Sequence, residues 1–214
     1  MRLPFLLIVF AALINLTGCA TTETTGYVDP AYSNGTFHTK KVVVRVDGGT
    51  LAETDLAETA FAQNFSDLGV ESIRYMDLVP PTRNYSEKKA MKIVKDTGAD
   101  SLFITYVGGK SSVDSYVPPT YHAGTSNSTV NVIGNTAHVN TYSSPGYTTG
   151  GYTVSLPVLT SVSYLMDMTN GNNIWKAEGF SSGIEFTSFT DLVLSAGNSA
   201  IADLKAKGLV SAVE

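Results

Sequence analysis

One thiol, three imidazoles and nineteen carboxylates carry most of the chemistry open to this 214-residue chain. The thiol, Cys19, follows Leu16, Thr17 and Gly18, and these follow Met1-Arg2 and an apolar run from Leu3 to Ile14. A short apolar run behind a positive start is too short to cross a bilayer comfortably and reads as a cleaved signal, so residues 1–18 form the signal and the mature chain begins at Cys19. His38, His122 and His138 do not stand at the spacing that brings two rings to one helix face, and carboxylates are scarce around them, so no metal site is expected. Hydrolysis by serine is not expected either, because no G-x-S-x-G occurs and no histidine has a neighbouring acid. Glu53, Glu58, Asp77 and Asp100 are scattered over caps, helix faces and turns, where each is expected to be unpaired and solvated, and glycoside hydrolysis needs two that face each other. The turn Asp47-Gly48-Gly49-Thr50 could offer backbone amides to a phosphate. It lacks the dinucleotide or P-loop pattern, and Thr50 with Glu53 already forms a capping box on those amides. No catalytic residue and no cofactor are expected, and the chain reads as non-enzymatic.

Leu16-Thr17-Gly18-Cys19 resembles the lipobox of bacterial lipoproteins. The resemblance implies that the Cys19 sulfur carries a diacylglycerol, that the chain is cut just before it, and that the freed amine takes a further acyl group such as palmitate. Several chains matter, because each buried CH2 contributes about 0.8 kcal/mol and one myristoyl-length chain holds a protein only marginally. Ala20 follows, with no aspartate there to signal retention at the inner membrane, so an outer-membrane anchor facing the periplasm is implied. Committing the only cysteine to lipid leaves none for disulfides or thiolate metal sites. Loss of the signal takes one arginine from a chain whose net charge is already −5, and that acidity argues against a nucleic-acid partner.

The elements that must position anything else begin after a tether. Residues 19–39 mix Thr, Gly, Pro, Asn and Ser with little periodicity and read as a lipidated, mobile linker. The folded domain is expected over 40–210. Lys41–Val46 is β-branched and reads as a strand, and the Thr50 cap opens a helix whose inner face carries Leu56, Ala60, Phe61, Phe65 and Leu68. Ser72–Val79 reads as a second strand, and a helix follows from about Ser86 to Thr97, ended by Gly98. Ser101–Val107 is a third strand, which gives βαβαβ.

From 108 to 153 the composition turns to Ser, Thr, Asn, Gly and Tyr, and Asp114 is the only charge between Lys110 and Asp167. Thr129–Val139 alternates about Gly134-Asn135, so an extended hairpin insertion is preferred to a disordered loop. Beyond it, Val158, Val162, Tyr164, Met166 and Met168 share one face of a strand by period two. Asn170-Gly171 turns the chain into a partner strand over 174–180, and Ser188 with Asp191 caps a last helix. The fold class is α/β, with a mixed sheet of about five strands in the order βαβαβ-ββα and helices packed on it.

Gly98-Ala99-Asp100 leading into a hydrophobic strand, Asp167 to Gly171 followed by Trp175, and a terminal helix ending Leu204-Lys205-Ala206-Lys207-Gly208-Leu209 add a second resemblance. Together with the element order they resemble the group of periplasmic lipoproteins and domains that includes CsgG, LpoB and the amino-terminal domain of TolB. The resemblance implies a non-catalytic domain that binds an envelope protein or assembles with copies of itself. Tyr116, Tyr121, Tyr142, Tyr147 and Tyr152, set among Ser, Gly and Asn, are the candidate contact residues, since such mixtures combine large amphipathic surfaces with adaptable hydrogen bonders. Adaptor or assembly factor is the leading expectation, with the bilayer held through acylated Cys19. A self-assembling structural or secretion-pore subunit and a glycan-binding envelope protein are the alternatives. The Asn, Ser and Gly content of 108–153 departs from the apolar band of membrane-spanning strands.

Overall fold

The structure, a computed structural model, describes residues 20–33, 35 and 37–210. Leu16, Thr17, Gly18 and Cys19, on which the expected anchor rests, lie outside the described residues. The strands are β1 (Thr21–Val28), β2 (Lys41–Asp47), β3 (Glu71–Arg74), β4 (Ser101–Val117), β5 (Thr120–His122), β6 (Ser126–Ile133), β7 (Thr136–Ser143), β8 (Tyr147–Thr149), β9 (Tyr152–Asp167) and β10 (Asn173–Ser182). The helices are α1 (Leu51–Asp67), α2 (Tyr75–Leu78), α3 (Glu87–Asp96) and α4 (Phe189–Ala206). Two compact units divide them, one running to Ser112 and resuming at Leu156, the other being Val113–Ser155.

The first unit holds a mixed six-stranded sheet in the order β1-β10-β9-β4-β2-β3. β2 pairs in parallel with β3 and β4, and β10 pairs antiparallel with both β9 and β1. Helices cover both faces at β2, which is why Val42, Val43 and Val44 are all fully buried. On one face Phe61 and Phe65 of α1 pack edge-on against Phe103, Trp175 stacks on the same ring, and Leu192, Ala196 and Leu204 of α4 complete the core. On the other face Val94 of α3 meets Val43, Leu102, Ile104 and Met168. The capping boxes at Thr50/Glu53 and Ser188/Asp191 both form, and Gly98 takes φ +72° after α3.

Three expectations change. The segment read as a mobile tether supplies β1, the sixth strand, whose full length pairs with β10 from Thr21↔Ser182 to Val28↔Trp175. Its inward residues are Thr22, Thr24, Gly26 and Val28, and the first two are hydroxyls that hydropathy does not flag. Thr22 bonds Ser195 and Thr24 bonds Ser199 on α4, each at 2.8 Å, while Tyr32 and Phe37 meet each other edge to face and pack against the core. The strand expected over Ser72–Val79 stops at Arg74 and becomes α2, because the Met76 amide is taken by the Glu58 side chain instead of a ladder partner. On α1 the buried stripe is Ala57, Glu58, Phe61, Ala62 and Phe65, leaving Leu56 exposed. On β9 the set expected to share a face does so, with Val158 and Met168 buried and Met166 packed on the second core, while the opposite face, Leu159, Ser161, Ser163 and Leu165, is buried throughout. Both faces of this strand carry apolar residues, and small serines fill the tighter side, where Ser163 bonds Thr105 at 3.0 Å.

The second unit contains two antiparallel pairs, β5 with β8 and β6 with β7. β6 and β7 run in continuous register from Ser126↔Ser143 to Ile133↔Thr136 about the two-residue turn Gly134-Asn135, with Gly134 at φ +62°. The hairpin is therefore ordered strand, and every residue of both strands is exposed. β4 and β9 are longer than their sequence patterns suggested, and each runs across the boundary between the units.

Candidate functional site

In the second unit and the strand ends that adjoin it, the five tyrosines are distributed over five strands, Tyr116 on β4, Tyr121 on β5, Tyr142 on β7, Tyr147 on β8 and Tyr152 on β9. All are exposed, Tyr142 most of all at 83%. The pairing His122↔Tyr147 stacks imidazole on phenol at 4.6 Å, and the His122 Nε2 lies 2.9 Å from the Thr149 hydroxyl. Gly146 is required beside this pair, since a Cβ there would collide with the Tyr121 hydroxyl and the His122 carbonyl. Register divides the β6–β7 hairpin into two unlike faces. Val130 and Val132 pair with Val139 and Ala137, whereas Asn127, Thr129 and Asn131 pair with Tyr142, Asn140 and His138. One face is thus apolar at its tip, and the other is largely amide and hydroxyl, running from Ile133 at the tip to Tyr142. Each two-stranded sheet also leaves backbone groups unpaired along its outer edges.

The first unit holds a cleft that the sequence patterns did not reveal. β2 hands its carboxyl end to α1 on one sheet face, and β3 leads through α2 to α3 on the other, so a crevice opens where the chain diverges. It has a volume of about 630 Å³ and is lined by Arg45, Gly48, Leu51, Tyr75, Met76 and Met91 among others. Arg45 pairs with Asp47 at 2.9 Å and lies 4.7 Å over the Tyr75 ring. Glu58, 1% exposed, forms the floor, accepting from the Val46 amide at 3.2 Å and the Met76 amide at 2.9 Å. Burial pushes its carboxyl up to about 7, against the opposing pull of those two donors. Both oxygens are engaged by backbone, which makes Glu58 a strut joining the ends of β2 and β3. It lies three residues before Phe61 and seven before Phe65, on the buried stripe of α1, a spacing that its charge masked in the sequence pattern.

The other acids expected to be solvated are also partnered. Asp77 takes a two-pronged contact from Arg74, at 3.0 and 2.6 Å, and Asp100 accepts from the Lys40 and Lys41 amides. Glu53 bonds Lys110 as well as its own cap, and the lysine holds its carboxyl below the usual range. Trp175 donates to Asp203 at 2.8 Å. Among the described residues no group of three His, Cys, Asp or Glu could hold a metal.

No family model and no curated protein matches the chain. Among solved structures it is similar to a point-substituted form of the PelC dodecamer from Paraburkholderia phytofirmans, at 16% identity and a TM-score of 0.47, covering 90% of this chain and 99% of that one. It is also similar to lipoprotein GNA1162 from Neisseria meningitidis, at 13% identity and a TM-score of 0.37, covering 76% of this chain and 98% of that one. Likenesses this distant carry no inference about activity or assembly.

Proposed function

We propose that this protein is an envelope lipoprotein, anchored by acylated Cys19 to the periplasmic face of the outer membrane, that acts as a non-catalytic adaptor or assembly factor through its second unit. The lipobox-like Leu16-Thr17-Gly18-Cys19 supports the anchor. The observation that carries the contact role is the fully exposed β6–β7 hairpin with Tyr142 at one end of its polar face. A two-stranded ribbon with both faces in water is marginal by itself, and strand addition or packing on a partner supplies what it lacks. Tyrosine among Ser, Asn and Thr suits such recognition, giving large contact area at low conformational cost.

A second reading, self-assembly, is favoured by one feature. The hairpin face that carries Val130, Val132, Ala137 and Val139 is apolar at its tip, so two copies could pack those tips against each other. Photo-cross-linking from position 142, and separately from 132, in the acylated protein in cells separates these readings. The adaptor reading expects one discrete adduct with another envelope protein, lost when Cys19→Ser mislocalises the chain. Adducts only at multiples of the chain's own mass would replace it with self-assembly, and none from either position would overturn both.

A further inference from the structure

The sheet leaves almost no chain between the anchor and the folded body. Ala20 is within 3.4 Å of α4, its carbonyl accepting from the Ser195 hydroxyl, and Thr21 is already paired with Ser182. A peptide bond joins Cys19 to Ala20, and consecutive Cα atoms are about 3.8 Å apart, so lipid carried on Cys19 would attach within a residue of the domain. Because β1 and β10 are antiparallel, β1 begins and β10 ends at the same end of the sheet.

At that end residues 183–187 make a pinned turn. The Gly183 amide donates to the Pro157 carbonyl at 3.0 Å, the Thr187 amide to the Ile184 carbonyl at 2.9 Å, and the Ile184 amide to the Thr187 hydroxyl at 2.9 Å. Gly183 packs so tightly on Thr187 that any Cβ would collide with it. Thr187 is buried, whereas Ile184 is 49% exposed and Phe186 is 85% exposed. Two large apolar side chains are therefore held out, on a backbone that cannot fold them back. Thr21 and Ser182 face each other across one ladder rung of about 5 Å, and Phe186 lies four residues beyond Ser182, at most about 15 Å away.

We propose that Ile184 and Phe186 enter the interfacial layer of the same bilayer that holds acylated Cys19, so that the first unit sits flush on the membrane by two contacts. This rests on the acylation of Cys19. The occupant is lipid because the anchor's short reach already brings this end of the sheet to the bilayer surface. Glu185, between the two apolar residues, keeps its carboxylate at headgroup level, which makes the insertion shallow.

The acylated protein offers a clean test, since its only thiol is consumed by lipid and Phe186→Cys introduces a single reactive one. The same substitution at Asn172, in the turn at the far end of β10, is the control. Each variant, purified with its acyl chains and placed in phosphatidylethanolamine/phosphatidylglycerol vesicles, takes a nitroxide label for power-saturation EPR. The label at 186 is expected to be relaxed several-fold more by oxygen than by a water-soluble nickel chelate, and the label at 172 to show the reverse. An aqueous signature at both positions, in protein that mass spectrometry shows to be acylated and that floats with the vesicles, overturns the membrane seat alone. Protein that lacks the acyl mass and takes label at two thiols overturns the anchor, and the membrane seat with it.

Discussion

Glu58 ties the ends of β2 and β3 with one carboxyl, and its raised pKa makes it a titratable strut. Its folded value, about 7, lies above the ordinary carboxylate value near 4.5, so the folded state holds a proton that the unfolded state releases. Its stabilising contribution is full below pH 4.5 and is lost as pH rises toward 7. The unfolding free energy is expected to fall across that window by about 3 kcal/mol, since a tenfold difference in proton affinity between the two states corresponds to about 1.36 kcal/mol. Urea titrations at several pH values measure this. Glu58→Gln should flatten the profile yet lower stability at pH 5 by about 1–3 kcal/mol, because the amide NH2 would oppose one of the two backbone donors. A profile unchanged by that substitution would show that another group titrates.

Among the elements, β1 is the one whose nature changed most between pattern and fold. Gly26 sits where a Cβ would strike the Asp203 carboxylate and the Trp175 indole. Gly26→Ala is expected to break the 2.8 Å Trp175–Asp203 bond and leave a buried N–H unpaired, costing about 1–3 kcal/mol. A mobile linker would accept alanine there with no change in thermal midpoint. The helix pair offers a parallel case. Gly197, inside α4, lets the Phe61 ring approach its backbone, and a Cβ would overlap that ring. Gly197→Ala gains about 1 kcal/mol of helix propensity but loses about 1–3 kcal/mol to overpacking. The expected sign in a denaturation midpoint is a net decrease.

For the molecule as a whole, the division into two units makes a separable prediction. Replacing Val113–Ser155 by an Asn-Gly turn should leave the first unit folded, because β4 and β9 are sheet neighbours there without it. Circular dichroism and a two-state melt near that of the full chain would support this, and a collapsed melt would show that the units stabilise each other. The sequence by itself determined the parts whose signals are local. Capping residues opened α1 and α4, β-branched runs marked β2 and the start of β4, and Gly134-Asn135 set the hairpin. What only the tertiary structure decided depends on partners far along the chain. Thr22 and Thr24 become inward residues because Ser195 and Ser199 meet them from α4, and the inner face of β9 is chosen by which helices cover which side of the sheet. Glu58 is buried because two backbone amides converge on it from β2 and α2. Periodicity reports the polarity of a residue, whereas burial is settled by whether its polar groups find partners, and those partners are brought together only by the folded sheet.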